Sequence, residues 1–489
     1  MLESQVELLM QRLSAAHRPE TVAFEHVTVV PMTHDGADVD QTVVVAGGVI
    51  RSIGPSASTP VPEGALRVDG RGRWLMPGLT DMHVHTFWSS SAYLLDLANG
   101  VTTVREMNGF PWLLAMRAAA RQNRLLAPNL VVAGTLLSEE PMGWYATVVR
   151  TPEEARQAVD RQVAAGYDAI KVHNVLRSEV FDAICAEAAL RRIDVVGHVP
   201  HGITVARAVA CPMRTLEHFK GYLLDEGLVL STEDTVAATR GAAVWNTPTF
   251  YNWRETARGD DARRLLALPE MRYVPGRTLA AWRRIADERP DAAQQGVRPL
   301  EEKIFESLMP IHARMLAGTD SGSGYPFHVR GFSLHEELET IQSLGFSPQE
   351  TLRTATTEAA VAMRRAGELG AIVPGARADV VLLSADPLAT VADTAWPHVE
   401  GVMVRGVWLP RATLQEMLDA VARIDDAPPD RRYSSAEIAS ALDALERLRT
   451  AGWPLRAHFL AGLRGRMEKS GLGVERPLFA GIASPPPED

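Results

Sequence analysis

Between Pro77 and Leu369 the chain alternates short apolar runs of β character with helical stretches, and it does so eight times. The candidate strands are 79–85, 102–107, 129–135, 169–174, 194–199, 215–219, 242–249 and 315–320. Strands joined by helical crossovers run parallel, because each helix returns the chain to the edge it left. Eight such units over roughly 290 residues match a (β/α)8 barrel, with a doubly wound sheet as the competing arrangement. The predicted class is therefore α/β.

Both flanks of this region read as β. Residues 21–76 and 370–410 hold short Val-rich strands and turn signals, Gly47-Gly48 among them. Two such pieces around a long middle predict one small β-sandwich domain built from both ends, with a barrel over 77–369. Residues 411–489 read as a helical extension with a flexible tail ending in ASPPPED. Thr151-Pro-Glu-Glu154 and Ser347-Pro-Gln-Glu350 are capping boxes with proline at the first helical position. Strands six and eight are far apart in sequence, which predicts an insertion over 252–308 near the barrel mouth.

Composition enters by what it excludes. At 46% hydrophobic and 22% charged residues the chain reads as soluble and globular. A formal net charge of −10 predicts no nucleic-acid partner. No apolar run reaches the ~18 residues of a membrane span. The N-terminal stretch lacks a secretory h-region. Two cysteines, Cys185 and Cys211, read most simply as reduced thiols of a cytoplasmic protein. Only four of the 50 basic residues are lysine, namely Lys171, Lys220, Lys303 and Lys469. A lysine kept within an apolar strand therefore calls for a reason.

Lys171 is that lysine, flanked by Ile170 and Val172. Strand alternation turns it toward the barrel interior, where a bare ammonium is costly. A carboxylate partner such as Asp320 or Glu106, deprotonation, or carbamylation by CO2 would relieve it. His83 and His85, two apart on the first strand, share one face and suit a metal ion. His198 and His218 end strands five and six, and Asp320 ends strand eight. All lie where barrel enzymes build active sites. Four imidazoles, one carboxylate and a potential carbamate suit two divalent ions, Zn2+ foremost.

The chain resembles the amidohydrolase superfamily, and within it the imidazolonepropionase-like and prolidase-like hydrolases. The resemblance rests on LMPGLTDMHVH, GVTTVRE, YDAIKVH, VVGHVP, LEHF, LAGTDSG and LGAIVPGARADVVLLSADPL, in family order over about residues 21–410. It implies a distorted barrel and a binuclear centre. His83 and His85 would hold one metal, His198 and His218 the other, a carbamate on Lys171 would bridge, and Asp320 would bind metal and act as base. Relatives without this lysine are commonly mononuclear, which argues against a nucleobase deaminase. Many relatives carry tyrosine where this chain has His173, and Arg-Asp where it has Arg105-Glu106.

The implied reaction is hydrolysis of a C–N amide bond (linear amide, N-acyl amino acid or dipeptide, or cyclic amide) of a small molecule. An esterase, lactonase or phosphotriesterase on the same centre is the alternative. An inactive scaffold protein is disfavoured because all six ligand positions are filled. Arg105, His173, His201 and Tyr251 are candidate substrate contacts. Trp144, Tyr145, Phe250, Tyr251 and Trp253 form a candidate aromatic wall. His335-Glu336-Glu337 lacks the second histidine of a zincin helix and reads as a solvated helix face. A homo-oligomer is expected.

Overall fold

A computed structural model describes residues 2–424, apart from 88–89, 143–144, 212, 223–231, 288–296 and 323–324. Trp144, the side chain of Trp253, and residues 425–489 of the expected helical extension and tail lie outside the described residues.

The early strands are β1 (Thr21–Val29), β2 (Asp38–Ala46), β3 (Val49–Pro55), β4 (Leu66–Asp69) and β5 (Trp74–Pro77). The barrel region follows with β6 (Leu79–Val84), β7 (Val101–Glu106), β8 (Asn129–Val132), β9 (Leu136–Ser138) and β10 (Ala146–Val148). It continues with β11 (Ala169–Val172), β12 (Asp194–Gly197), β13 (Met213–Glu217), β14 (Trp245–Thr247) and β15 (Arg314–Met315). Three late strands are β16 (Val380–Leu383), β17 (Val399–Val404) and β18 (Val407–Pro410).

Early and late strands share one eight-stranded sheet, in the order β18-β17-β16-β5-β1-β2-β3 with β4 on β1. The junction of the two chain ends is the antiparallel β5–β16 pair, with Pro77 opposite Val380. Phe24, Val43, Val45, Ile50, Leu75 and Val380 belong to the core of this sheet.

The middle of the chain folds as an α/β unit of barrel type. β6, β7 and β8 pair in parallel, and β11 through β15 do the same in chain order. Single parallel bridges, Ala133 with Ala169 and Val84 with Ser321, link the two sets at both edges. The strands are shorter than expected from the sequence, and β9 and β10 form an extra parallel pair beside β11. The insertion is helical, with Gly259–Leu266, Gly276–Ile285 and Val297–Leu308 as its main segments.

Both capping boxes form. The Thr151 and Ser347 hydroxyls accept the N–H of Glu154 and Glu350 at 3.2 Å, and each glutamate accepts the cap residue's own N–H. The helix Arg411–Ile424 buries Leu414, Met417, Leu418 and Val421, the spacing of one helical stripe.

Two expectations are corrected. Cys185 and Cys211 are joined as a disulfide across 26 residues. The α-helix Ser178–Arg191 carries one and the end of Val205–Ala210 the other, and their packing brings the Cα atoms to 5.4 Å. The reduced-thiol argument for a cytoplasmic location is thereby removed. No helix among the described residues is long and apolar enough to cross a membrane. The second correction concerns His335-Glu336-Glu337. The helix Phe332–Ser343 is covered on more than one face, so His335 and Glu337 are buried. His335 bonds Asn99 O at 3.0 Å and Thr394 Oγ1 at 3.1 Å. Glu336 pairs with Arg254. Glu337 accepts the Tyr251 backbone N–H at 2.8 Å.

Burial pushes the Glu337 carboxyl up to about 8. The folded chain then keeps a proton that the unfolded chain releases near the ordinary value of 4.5. Stability attributable to this group is full below that value and falls as pH rises toward about 8. Glu337→Gln is therefore expected to flatten the fall in unfolding free energy between pH 5 and 8, read by urea titration, by on the order of 2–4 kcal/mol. Parallel slopes for variant and wild type would refute it.

Candidate active site

The six residues singled out as ligands gather at the C-terminal ends of the barrel strands. His83 lies in β6 and His85 just past it, and Lys171 lies in β11. His198 and His218 each stand one residue beyond β12 and β13. Asp320 sits on the loop after β15, whose Ser321 bridges Val84. Ile170 and Val172 join the core between strands and helices, so alternation leaves Lys171, 2% exposed, facing inward.

Two glycines allow this convergence. A Cβ on Gly197, at φ +127°, would stand 2.2 Å from Val172 O and 3.0 Å from Lys171 Cδ. A Cβ on Gly322, at φ +89°, would stand 1.8 Å from His85 O. Each lets a ligand-bearing loop close onto the neighbouring strand. His218, Thr249 and Asp320 also hold positive φ, at 59°, 57° and 55°, an uncommon conformation that clusters at functional sites.

Asp320 is the hub. Its Oδ1 lies 2.9 Å from His85 Nε2 and 3.4 Å from His83 Nε2, and its Oδ2 lies 3.8 Å from His218 Nε2. His83 and His218 have ring centroids 4.6 Å apart, His198 and His218 4.9 Å, and His173 and His198 4.2 Å. Ligand atoms of His83, His85 and Asp320 lie within 4.8 Å of one another, a span one cation can fill.

The imidazoles are held from behind. His83 Nδ1 meets Glu217 Oε2 at 2.9 Å, His198 Nδ1 meets Asn174 Oδ1 at 2.6 Å, and His218 Nδ1 meets Thr249 Oγ1 at 2.6 Å. An oxygen accepting at Nδ1 places the proton there and leaves Nε2 as a bare lone pair, the usual arrangement of metal-bound histidine. The buried His83 Nε2 has no hydrogen-bond partner. A lone pair aimed at a carboxylate oxygen, with no hydrogen to share, fits a cation between them.

The electrostatics agree. Burial and the nearby Lys171 push His83 down to about 4, and burial holds His198 and His218 well below the usual imidazole range. At neutral pH all three are uncharged, the form that ligates metal. Burial would raise the Asp320 carboxyl, but His83, His85 and His218 overcome it and hold it well below the carboxylate range. Burial pushes Lys171 down to about 8 against the pull of Glu217 and Asp320. Glu106, the other expected partner, instead accepts from Thr86 and Tyr93 at 2.6 and 2.8 Å.

The substrate contacts expected from sequence fare differently. Arg105 is committed inside the protein, donating to Met82 O, Thr215 Oγ1 and Glu217 Oε1 at 2.6–2.9 Å. Tyr251 is 1% exposed, with its hydroxyl on Phe327 O and Arg254 stacked over its ring. Phe250 packs between Phe219 and Phe305. These three are core, which corrects their reading as substrate surface. His173 is half-buried beside His198, with a buried Nδ1 that has no hydrogen-bond partner, and His201 is exposed. Tyr145 is half-buried near Phe87, at 6.2 Å between ring centroids.

Several site residues went unread in the sequence. Glu217 stands directly before His218, and its parity with Thr215 on a barrel strand was an available signal. Asn252 reaches Asp320 Oδ2 at 3.3 Å. His328 is buried with both ring nitrogens lacking a hydrogen-bond partner, and its ring meets Tyr251 at 4.5 Å.

Comparison with known proteins identifies the family. The profile of the amidohydrolase family matches residues 74–409. An imidazolonepropionase of Rubrobacter xylanophilus is 25% identical over 399 residues, 76% of this chain and 91% of that protein. A bottromycin amidohydrolase superimposes with a TM-score of 0.70 at 26% identity, covering 86% of this chain and 94% of its own. A Xaa-Pro dipeptidase with methionine bound in its active site has a TM-score of 0.62 at 17% identity, over 80% of this chain and 100% of its own, a likeness of fold.

Proposed function

The chain belongs to the amidohydrolase family of hydrolases acting on C–N bonds, and on that footing we propose that it cleaves an amide bond of a small molecule at a centre of two divalent metal ions. The observation that carries this reading is the set of inward imidazoles around Asp320, three of which, His83, His198 and His218, have Nδ1 held by a neighbouring oxygen. His83 and His85 would hold one ion and His198 and His218 the other, with Asp320 and a carbamate on Lys171 as oxygen ligands. Zn2+ suits this donor set. Bound ions lower the pKa of water and polarise a carbonyl.

The chain's own residues do the rest. Lys171, with its amine pushed down to about 8, holds a neutral fraction that can attack CO2. The new N–C bond yields a carbamate and releases one proton. Asp320 takes the proton of the attacking water and returns it to the leaving nitrogen, first base and then acid. Glu217, Asn174 and Thr249 are positioning residues that keep Nε2 of three imidazoles free. His173 and His328 offer buried ring nitrogens to the substrate, and His201 stands at the exposed rim. The outer strands as a β-sandwich domain over 21–76 and 370–410, the barrel over 77–369, and a homo-oligomer belong to the same proposal.

Zinc-loaded protein tested on N-acyl amino acids, dipeptides, cyclic amides, lactones, aryl esters and phosphotriesters decides the reaction class. Amide turnover supports the proposal. Turnover confined to esters, lactones or phosphotriesters replaces it with the rival hydrolase. Lys171→Ala is expected to lower metal affinity by at least about 10–100-fold, read by elemental analysis after dialysis. Added formate or acetate should restore part of the bound metal. Full metal content without either acid would remove the carbamate.

A further inference from the structure

At the opposite end of the barrel from these ligands, where β8 begins at Asn129 and meets the outer sheet, lies a recess of about 280 Å³. Five arginines line it, Arg117, Arg121, Arg365, Arg377 and Arg405, with one acidic residue, Glu368. Counter-ions are few. Arg117 pairs with Asp168, Arg365 with Glu368 at 3.0 Å, and Arg377 with Asp379 at 2.8 Å and Glu368 at 3.2 Å. Five cations against three carboxylates leave two positive charges, in a chain whose net charge is −10.

Arg405 sharpens the imbalance. It is 7% exposed, and its side chain donates only to neutral oxygens: Asn123 Oδ1 at 3.1 Å, Asn129 Oδ1 at 2.9 Å and Ala127 O at 2.8 Å. A buried charge without a directly bonded counter-ion is costly. Arg121, on the wall of the recess, has no ion-pair partner among the described residues. Guanidinium forks match the paired oxygens of oxyanions, and a recess this small suits an ion more than a drug-sized ligand.

We propose that this recess binds a small multivalent oxyanion of the phosphate class, which joins the outer sheet to the barrel. The site is independent of the metal centre and stands or falls without it. The test uses the full-length protein at constant ionic strength, with pyrophosphate, inorganic phosphate, citrate and a chloride control. Calorimetry is expected to show one saturable site per chain for pyrophosphate or phosphate, and the unfolding temperature should rise with ligand concentration. Arg121→Gln, at an exposed position, should fold normally and weaken binding at least tenfold. Protection of arginines from phenylglyoxal by pyrophosphate gives a second readout that needs no variant. Binding of citrate alone assigns the site to polycarboxylates and overturns the phosphate class. No binding above chloride, or affinity unchanged in both Arg121→Gln and Arg365→Gln, shows that the arginines serve only as an internal network.

Discussion

Asp320→Asn is expected to lower kcat by about 100- to 10,000-fold while the chain stays folded. Asparagine keeps the shape of the side chain and an oxygen for the Asn252 amide, now 3.3 Å from Oδ2. It cannot take a proton from water or return one to a leaving nitrogen. Loss of the negative charge among His83, His85 and His218 also weakens cation binding, so the assay belongs at saturating metal. The leaving group separates the two effects. An anilide with a good leaving group needs little protonation and should lose less rate than an alkyl amide. An equal loss on both, cured by more metal, would make Asp320 a ligand and not an acid. Full activity at saturating metal would remove it from the chemistry.

What the sequence disclosed was local. The β/α alternation is carried by local hydrophobic patterning, so the α/β class and the two flanking β pieces were visible. The histidine and aspartate candidates stand at or near the end of short apolar runs, and Lys171 stood out within one because arginine serves almost everywhere else. What stayed hidden was tertiary. Glu217 meets Arg105 across 112 residues and His83 across 134, and no periodicity carries such a pairing. The helix of His335 and Glu337 read as solvated because its composition is polar. Its second cover is the turn at Val391–Thr394, far along the chain. The aromatic residues after strand seven read as a substrate wall because loops often carry function. The burial of Phe250 follows from the helices of the insertion, which pack Phe305 on it.

The buried trio of His83, Glu217 and Arg105 sets the second large effect. Burial alone would raise the Glu217 carboxyl, yet Arg105 at 2.8 Å and His83 at 2.9 Å hold it below the ordinary range. Glu217→Ala leaves a guanidinium, 3% exposed, without its carboxylate and His83 Nδ1 without its acceptor. Removing one partner of a buried ion pair costs about 3–5 kcal/mol, because the remaining charge keeps its desolvation penalty. The urea midpoint should fall accordingly, and metal affinity should fall about 10–100-fold as His83 loses its orientation. Replacing both partners, as Arg105→Met with Glu217→Leu, should recover much of the stability but none of the metal affinity. That split distinguishes a positioning role from a purely structural one. If the double variant regains metal affinity along with stability, Glu217 holds the fold and not the histidine. If Glu217→Ala is as stable as wild type, the buried pair is not what keeps β6, β7 and β13 in register around the site.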